Sequence, residues 1–334
     1  MQTRTLGGTD LSFSVVGLGT WAIGGGDWAF GWGPQDERES IESVVRAIDL
    51  GVNWIDTAAV YGHGQSERLV GKALQEISAS NRPLIATKCG RTTLAGGGIG
   101  KSLKRDSVIA ECEASLQRLG VDCIDLYQMH WPEPNEQIEE GWQTLVDLKQ
   151  QGKVRHIGVS NHSVDQMQRL NAIHPIASLQ PPYSMIARDV ETEILPYCGG
   201  QSIGVIAYSP MGKGMLTGAI DAKRIASWDE TDHRTRDPRF QSPQIEVNLS
   251  FVKKLSAVAD GLGWAMAELA IAWVMRRLEM TSAIVGARRP EQIEQTVVAG
   301  TRTLDNQSIK VIDAILADRD RELASLSGIE KARV

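Results

Sequence analysis

Residues 37–56 read Glu-Arg-Glu-Ser-Ile-Glu-Ser-Val-Val-Arg-Ala-Ile-Asp-Leu-Gly-Val-Asn-Trp-Ile-Asp. Ile41, Val44, Val45 and Ile48 fall on one face of a helix over 37–50. Gly51 stops that helix, and residues 52–55 form a short apolar run that ends at Asp56. A helix, a glycine and a buried strand in so short a span is the grammar of a βα repeat.

The alternation extends in both directions. Downstream it predicts helix 66–77, strand 84–87, helix 106–119 capped by Asp106, strand 123–127, helix 135–150 capped by Asn135 and strand 154–159. Helix 163–173, strand 176–179, helix 189–198 and strand 203–207 follow. A long polar segment, 209–244, precedes helices 245–261 and 265–277, strand 282–285, helix 290–299 and a helical tail over 306–326. Upstream are a hairpin (3–6 and 11–14, turning on Gly7-Gly8-Thr9-Asp10), a strand over 15–19 and a loop over 20–34 rich in Gly and Trp. From Val15 onward the chain counts eight strand–helix units. The strands are apolar on both faces, as expected where each is covered inside and out. The expected architecture is one α/β domain over residues 1–334, a (β/α)8 TIM barrel with an N-terminal β-hairpin and a C-terminal helical extension.

Composition narrows the function. Lys and Arg number 35 against 41 Asp and Glu, a net charge of −6 that gives no reason to expect nucleic acid or an anionic membrane as partner. Cys89, Cys112, Cys123 and Cys198 form no CxxC pair, which favours a reducing compartment. The first residues are too polar for a signal peptide, and no apolar run reaches membrane-helix length. The expectation is a cytoplasmic protein. No HExxH or Cys/His cluster occurs, so no metal site is expected.

Two glycine patterns are decoys. Gly17-Leu18-Gly19 lacks the third glycine of a dinucleotide fingerprint, and no helix opens after it. Residues 95–102, Ala-Gly-Gly-Gly-Ile-Gly-Lys-Ser, resemble a phosphate loop but neither follow a strand directly nor open a helix; they read as a flexible βα loop. In the 209–244 segment, Lys213, Arg224, Arg234, Arg236 and Arg239 would suit a lid over an anionic cofactor; a solvated excursion is the plainer alternative.

Asp56, Tyr61, Lys88 and His130 each lie at or just past the end of an apolar run. In a parallel barrel such positions converge on one mouth. Carbonyl reduction needs a proton for oxygen while hydride reaches carbon. A tyrosine hydroxyl can give it, and a neighbouring ammonium is expected to lower the phenol's pKa. Asp56 would offset the charge of Lys88, and a neutral His130 would orient the substrate oxygen. Taken singly, each has an ordinary alternative: a structural ion pair, a satisfied histidine or a surface phenol.

The run Gly51-Val-Asn-Trp-Ile-Asp56-Thr-Ala-Ala-Val-Tyr61-Gly-His-Gly-Gln-Ser-Glu67-Arg-Leu-Val-Gly71 resembles the aldo-keto reductase signature. Ile85-Ala-Thr-Lys88 and Ile124-Asp-Leu-Tyr-Gln-Met-His130 are similar to that family's lysine and histidine motifs. The resemblance implies a catalytic tetrad of Asp56, Tyr61, Lys88 and His130. It implies NADP(H) as cofactor, with Ser160, Asn161 and Gln180 on the nicotinamide amide and Tyr208 stacked on its ring. Ser209, Pro210, Gly212, Lys213 and Gly214 would follow the pyrophosphate. Gly286, Arg288 and Gln292 would meet the adenosine phosphate, Arg288 at its 2′-phosphate. The family's usual Glu-Asn adenine pair falls on Gln295 and Thr296.

Trp21, Trp28, Trp32 and Trp131 are expected at the substrate pocket, with packing beneath loops as the alternative. The resemblance, closest to a bacterial aldehyde-reducing branch, implies a monomeric enzyme acting on a small-molecule aldehyde or ketone. The same fold also serves as a cofactor-sensing regulatory protein in potassium-channel β subunits, and a Schiff-base aldolase on Lys88 is a weaker alternative.

Overall fold

Eight parallel strands close into a cylinder: β1 (Val16–Gly19), β2 (Trp54–Asp56), β3 (Leu84–Cys89), β4 (Ile124–Met129), β5 (Val154–Ser160), β6 (Ser178–Gln180), β7 (Gly204–Tyr208) and β8 (Met280–Gly286). Each pairs with the next, and β8 returns to β1 with Ala283 opposite Val16 and Gly286 opposite Gly19. The computed structural model describes residues 1–26, 28, 30–229 and 232–332, with side chains as far as 326. This is the (β/α)8 barrel expected from the alternation.

The outer ring is α1 (Glu37–Asp49), α2 (Gln65–Glu76), α3 (Arg105–Leu119), α4 (Ile138–Gln150), α5 (Val164–Asn171) and α6 (Ile194–Gly200). Short α7 (Ala222–Ala226) lies in the polar excursion, and α8 (Gln244–Leu262), α9 (Met266–Met275), α10 (Pro290–Val297) and α11 (Asn306–Ala332) complete the chain. Among the described residues no single helix is long and apolar enough to cross a membrane.

Helix starts follow local chemistry, sometimes against expectation. Asp36 caps α1, its carboxylate accepting from Glu39 N at 2.8 Å. Ser163 opens α5 in a reciprocal capping box with Gln166, a motif contributing about 1 kcal/mol. Asp106 does not cap α3. Lys104 occupies that position, and Glu140 from α4 accepts the Arg105 N–H at 2.9 Å, so a neighbouring helix supplies the missing acceptor. Asn135 begins a 3-10 turn rather than α4, and its side chain instead accepts from Gln166 and Arg169.

The N-terminal hairpin (Thr3–Thr5 with Ser12–Ser14) closes the bottom of the cylinder. Leu6, Leu11 and Phe13 pack with Trp54, Ala86, Leu126, Ile206 and Ile284 inside the barrel. Phe13 stacks on Trp54 at 4.4 Å. Gly17 exists for this packing: a Cβ there would lie 2.1 Å from the Trp54 ring. The glycine rejected as a dinucleotide fingerprint thus has a steric reason of its own.

The loop after β3 was expected to be flexible. It instead folds as a second hairpin, Arg91–Thr93 against Ile99–Lys101, and Lys101 pairs with Glu133 at 2.8 Å.

Candidate active site

Asp56 is the last residue of β2, and Lys88 lies within β3, beside it in the sheet. Both are buried. Lys88 Nζ donates to Asp56 Oδ1 and Oδ2 at 2.9 and 2.7 Å and to the Thr57 carbonyl at 2.9 Å. Tyr61 Oη is a fourth acceptor at 3.3 Å. An ammonium has three protons, so the phenol shares the weakest of these contacts. Gln180 Nε2 also donates to Asp56 Oδ1, at 2.7 Å. Burial draws the Asp56 acid up and the Lys88 ammonium down, and the hydrogen bonds between them oppose both shifts.

Tyr61 sits on the loop after β2. Burial first, and the Asp56 carboxylate second, push its phenol well above 10. This reverses the expectation that Lys88 would lower it. Lys88 directs its charge at Asp56, so the phenol faces a nearly neutral pair from within a buried setting. The His130 ring stands edge-on to Tyr61, centroids 5.7 Å apart. Burial, then Lys88 and Arg91, hold its imidazole well below 6.5, so it is neutral at physiological pH.

A second network adjoins the first. Ser160 Oγ donates to the Gln180 carbonyl at 2.7 Å. Asn161, held at φ 62°, donates from Nδ2 to the His130 carbonyl at 3.0 Å and accepts at Oδ1 from Tyr208 Oη at 2.9 Å. So β4, β5, β6 and β7 are cross-tied at one mouth. The Gln180 amide, expected on the nicotinamide, gives its nitrogen to Asp56.

After β7, Ser209 adopts φ 55°, and Gly212, Lys213 and Gly214 run consecutively at 56°, 57° and 91°. Gly212 has no room for a Cβ, which would meet Ile186 Cδ1 at 2.6 Å. Beside the half-buried Tyr208 ring, this left-handed stretch turns tightly on itself, Gly212 N donating to the Ser209 carbonyl at 2.9 Å and Gly214 N to the Met211 carbonyl at 3.1 Å, and it carries the Lys213 cation, an ordinary partner for a phosphate. These residues fit a nicotinamide dinucleotide.

The excursion's cations are largely matched by its own acids. Lys213 and Arg239 both pair with Asp237, and Arg234 pairs with Asp232. Arg224 is exposed and donates to the Ala219 carbonyl. Arg288, past β8, donates from Nε to Gln35 Oε1 at 2.6 Å, from one terminal nitrogen to the Trp32 carbonyl at 3.1 Å, and from the other to the Pro34 carbonyl. Its backbone N–H is held by Gln292 at 2.7 Å. Gln295 is exposed on α10, whereas Thr296 is buried and its hydroxyl bonds back to the Gln292 carbonyl at 2.9 Å.

Trp21 and Trp28 approach the Tyr61 ring at 6.5 and 5.9 Å, and Trp32 meets Trp21 edge-on at 5.8 Å. Trp131 stands elsewhere, exposed, with the Arg91 guanidinium 5.8 Å over its ring. Sequence reasoning missed His233 of the excursion, whose ring lies 5.1 Å from Trp21 and 5.0 Å from Trp32. No periodicity or motif marks it.

Glu111, on α3, was missed as well. It underpins the end of β3: its carboxylate accepts from Gly90 N at 3.0 Å and Arg91 N at 3.3 Å. Burial outweighs these donors and lifts its pKa from 4.5 to about 7. The folded state therefore holds this proton more tightly than the unfolded chain does. Stability is lost as pH rises from about 4.5 to about 7 and then levels off, by something on the order of 1–3 kcal/mol. Glu111→Gln should flatten that slope. Urea unfolding of both proteins between about pH 5 and pH 8 checks it, and an equal slope in both would remove the assignment.

A closed parallel barrel with a phenol, an ammonium, a carboxylate and a neutral imidazole at one mouth defines a class, a barrel enzyme equipped to move a proton at a carbonyl. The sequence profile of the aldo/keto reductase family matches residues 15–317. The chain belongs to that family and is an oxidoreductase. Aldo-keto reductase YhdN of Bacillus subtilis (strain 168) is 38% identical over 319 residues, spanning 95% of this chain and 94% of the relative. The NADH-specific methylglyoxal reductase of Escherichia coli (strain K12) is 33% identical over 311 residues, spanning 90% and 93%. The glycerol dehydrogenase AKR11B4 from Gluconobacter oxydans superposes with a TM-score of 0.85 at 35% identity, covering 95% of each chain.

Proposed function

We propose that this protein reduces aldehydes and ketones to alcohols, and runs the reverse reaction, with NADP(H) as cofactor and Tyr61 as proton donor. The observation that carries the reading is Lys88 Nζ within bonding reach of both Asp56 and the Tyr61 hydroxyl, with the His130 ring against the same phenol. When bound, the reduced nicotinamide supplies hydride. The chain's own residues do the rest. Tyr61 stays protonated at neutral pH and hands its proton to the carbonyl oxygen. Neutral His130 donates an N–H to that oxygen and fixes the carbonyl's direction. Lys88 stabilises the phenolate left behind, and Asp56, braced by Gln180, keeps Lys88 charged. Trp21 and Trp28 form a wall that excludes water from the reacting centre. The same reading makes it a monomeric cytoplasmic enzyme, which sedimentation would check for oligomeric state.

A panel of aldehydes, ketones and sugars followed by NADPH absorbance, with NADH in parallel, tests the reading; no turnover of any carbonyl with either cofactor would end it in favour of a cofactor-sensing role. Arg288 is the residue assigned to the 2′-phosphate. Charge-assisted hydrogen bonds are worth about 1.5–3 kcal/mol, so Arg288→Ala should raise the Michaelis constant for NADPH by about 10- to 100-fold and that for NADH far less. Equal changes would remove the assignment. One observation favours a second reading, use of NADH: the Arg288 guanidinium is already engaged by Trp32, Pro34 and Gln35. The Escherichia coli relative, described as NADH-specific, points the same way.

A further inference from the structure

Three buried hydroxyls stand against the backbone that carries the tetrad: Thr20 just past β1, Thr57 just past β2 and Ser66 in the first turn of α2. Ser66 Oγ lies 2.7 Å from Thr20 Oγ1 and 3.0 Å from Thr57 Oγ1. Thr20 Oγ1 donates in turn to the Asp56 carbonyl at 2.9 Å. Each hydroxyl owns one proton, so all three links form only when the chain runs one way: Thr57 to Ser66, Ser66 to Thr20, Thr20 to the Asp56 carbonyl. The Thr20 carbonyl, 3.0 Å away, shares the Ser66 proton. Burying a hydroxyl is costly unless it is bonded, and here every proton has an acceptor.

The chain ends on groups that hold the tetrad. The Asp56 carbonyl also accepts the Thr20 N–H at 2.9 Å, so β1 fixes the residue that pairs with Lys88. The Thr57 carbonyl is itself an acceptor of Lys88 Nζ, and the Thr57 N–H is held by the Ala86 carbonyl of β3 at 2.9 Å. Thr57 and Ser66 are the two feet of the loop that carries Tyr61, and their hydroxyls close that loop at its base. The Ser66 N–H donates to the Tyr61 carbonyl at 3.2 Å. Glu67, the next residue, grips β3: its carboxylate accepts from the Thr87 hydroxyl at 2.6 Å and from Arg118 Nε at 2.6 Å. One helical turn thus ties β1, β2 and β3 together around the Asp56–Lys88 pair.

Helix capping does not explain Ser66. Gly64 holds the N-cap position of α2 without a side-chain bond, and the Ser66 hydroxyl bonds to other elements rather than to its own helix. Packing does not explain it either, since alanine would fill nearly the same space and suits a helix better. What the oxygen adds is direction, because a fully satisfied polar network specifies one arrangement. Slack at the foot of the loop would be passed to the 3.3 Å approach of Tyr61 Oη to Lys88 Nζ, the longest of the Lys88 contacts.

We infer that Ser66 is a positioning residue for the proton transfer: with Thr57 and Thr20 it holds the loop that aims Tyr61 at Lys88, acting through backbone rather than through contact with substrate or nucleotide. This rests on the reductase reading and deepens it. Turnover is followed with methylglyoxal, or with the best carbonyl of the panel where methylglyoxal is poor, and is expressed per nucleotide-binding site titrated by tryptophan quenching. Ser66→Ala should lower kcat by about tenfold, the size of one neutral hydrogen bond and less than the about 100-fold that a misplacement of about 1 Å can cost. Both Michaelis constants should stay within about twofold, the signature of a loss felt only in the transition state. Thr57→Val, of equal size at the other foot, should lose as much, and Thr57→Ser, which keeps the hydroxyl, should keep the wild-type kcat. The double variant Ser66→Ala/Thr57→Val should lose about tenfold rather than about 100-fold, because both changes cut one link. Thr57→Val with its Thr57→Ser rescue carries the test alone where Ser66→Ala does not fold. A merely structural role would lower the melting temperature or the number of binding sites and leave kcat per site unchanged. That result, losses that multiply in the double variant, or a fall in kcat that Thr57→Ser shares, overturns the positioning role and leaves the reductase reading intact. A wild type that reduces no carbonyl of the panel strikes the reductase reading itself, and the positioning role with it.

Discussion

Tyr61→Phe should lose about 10²- to 10⁴-fold in kcat, the range attributed to a positioned general acid. Binding of NADPH, followed by quenching of tryptophan fluorescence, should be unchanged. The reasoning is geometric: the substitution removes one oxygen, the one 3.3 Å from Lys88 Nζ, and leaves the ring that packs with Trp21, Trp28 and His130. Its buried, raised pKa also predicts that reduction shows no loss of the acid form as pH rises through 8. Turnover within a factor of a few of wild type would take the proton-donor role away from Tyr61 and pass it to His130 or a water.

Lys88→Met carries the largest combined effect. It removes the cation from a pair in which the lysine side chain is wholly buried and the Asp56 side chain is 4% exposed, leaving a carboxylate with only the Gln180 amide. Breaking such a pair from one side costs about 3–5 kcal/mol of stability. Turnover should fall by about 10²-fold or more, because the phenolate then forms without a neighbouring ammonium. The double variant Asp56→Asn/Lys88→Met separates the two effects. Removing both charges should restore much of the stability, since the desolvated charge is gone, but none of the rate. Chemical denaturation of the three proteins beside aldehyde turnover reads both. If the single variant unfolds at the same urea concentration as wild type, the pair contributes little to the fold.

The barrel and its four mouth residues were legible for a simple reason. Each helix–glycine–strand unit is written locally, and Asp56, Lys88 and His130 stand where an apolar run gives way to polar residues. Ends of elements were harder to read. Strands buried on both faces show no alternation, so nothing local marks where β2 or β3 stops, and both Asp56 and Lys88 prove to lie inside their strands. Helix caps at Asp106 and Asn135 were misread because Glu140, across an interhelical gap, competes for one role and a 3-10 turn takes the other.

The finer chemistry was written in distances between segments remote in sequence. Gln180 chooses Asp56, and Arg288 chooses the loop of residues 32–35; neither choice is visible until the chain is closed into a ring. The direction of the Tyr61 shift was misjudged for the same reason. A charge seen in a sequence has no orientation, and in the fold Lys88 faces the carboxylate first. His233 left no trace at all, because a lone histidine in a polar stretch is identified only by the indoles that come to surround it.

The plug formed by Leu6, Leu11 and Phe13 makes the cylinder a blind well rather than a tunnel. With that end filled, a ligand that meets Tyr61 has no way in through the floor of the barrel.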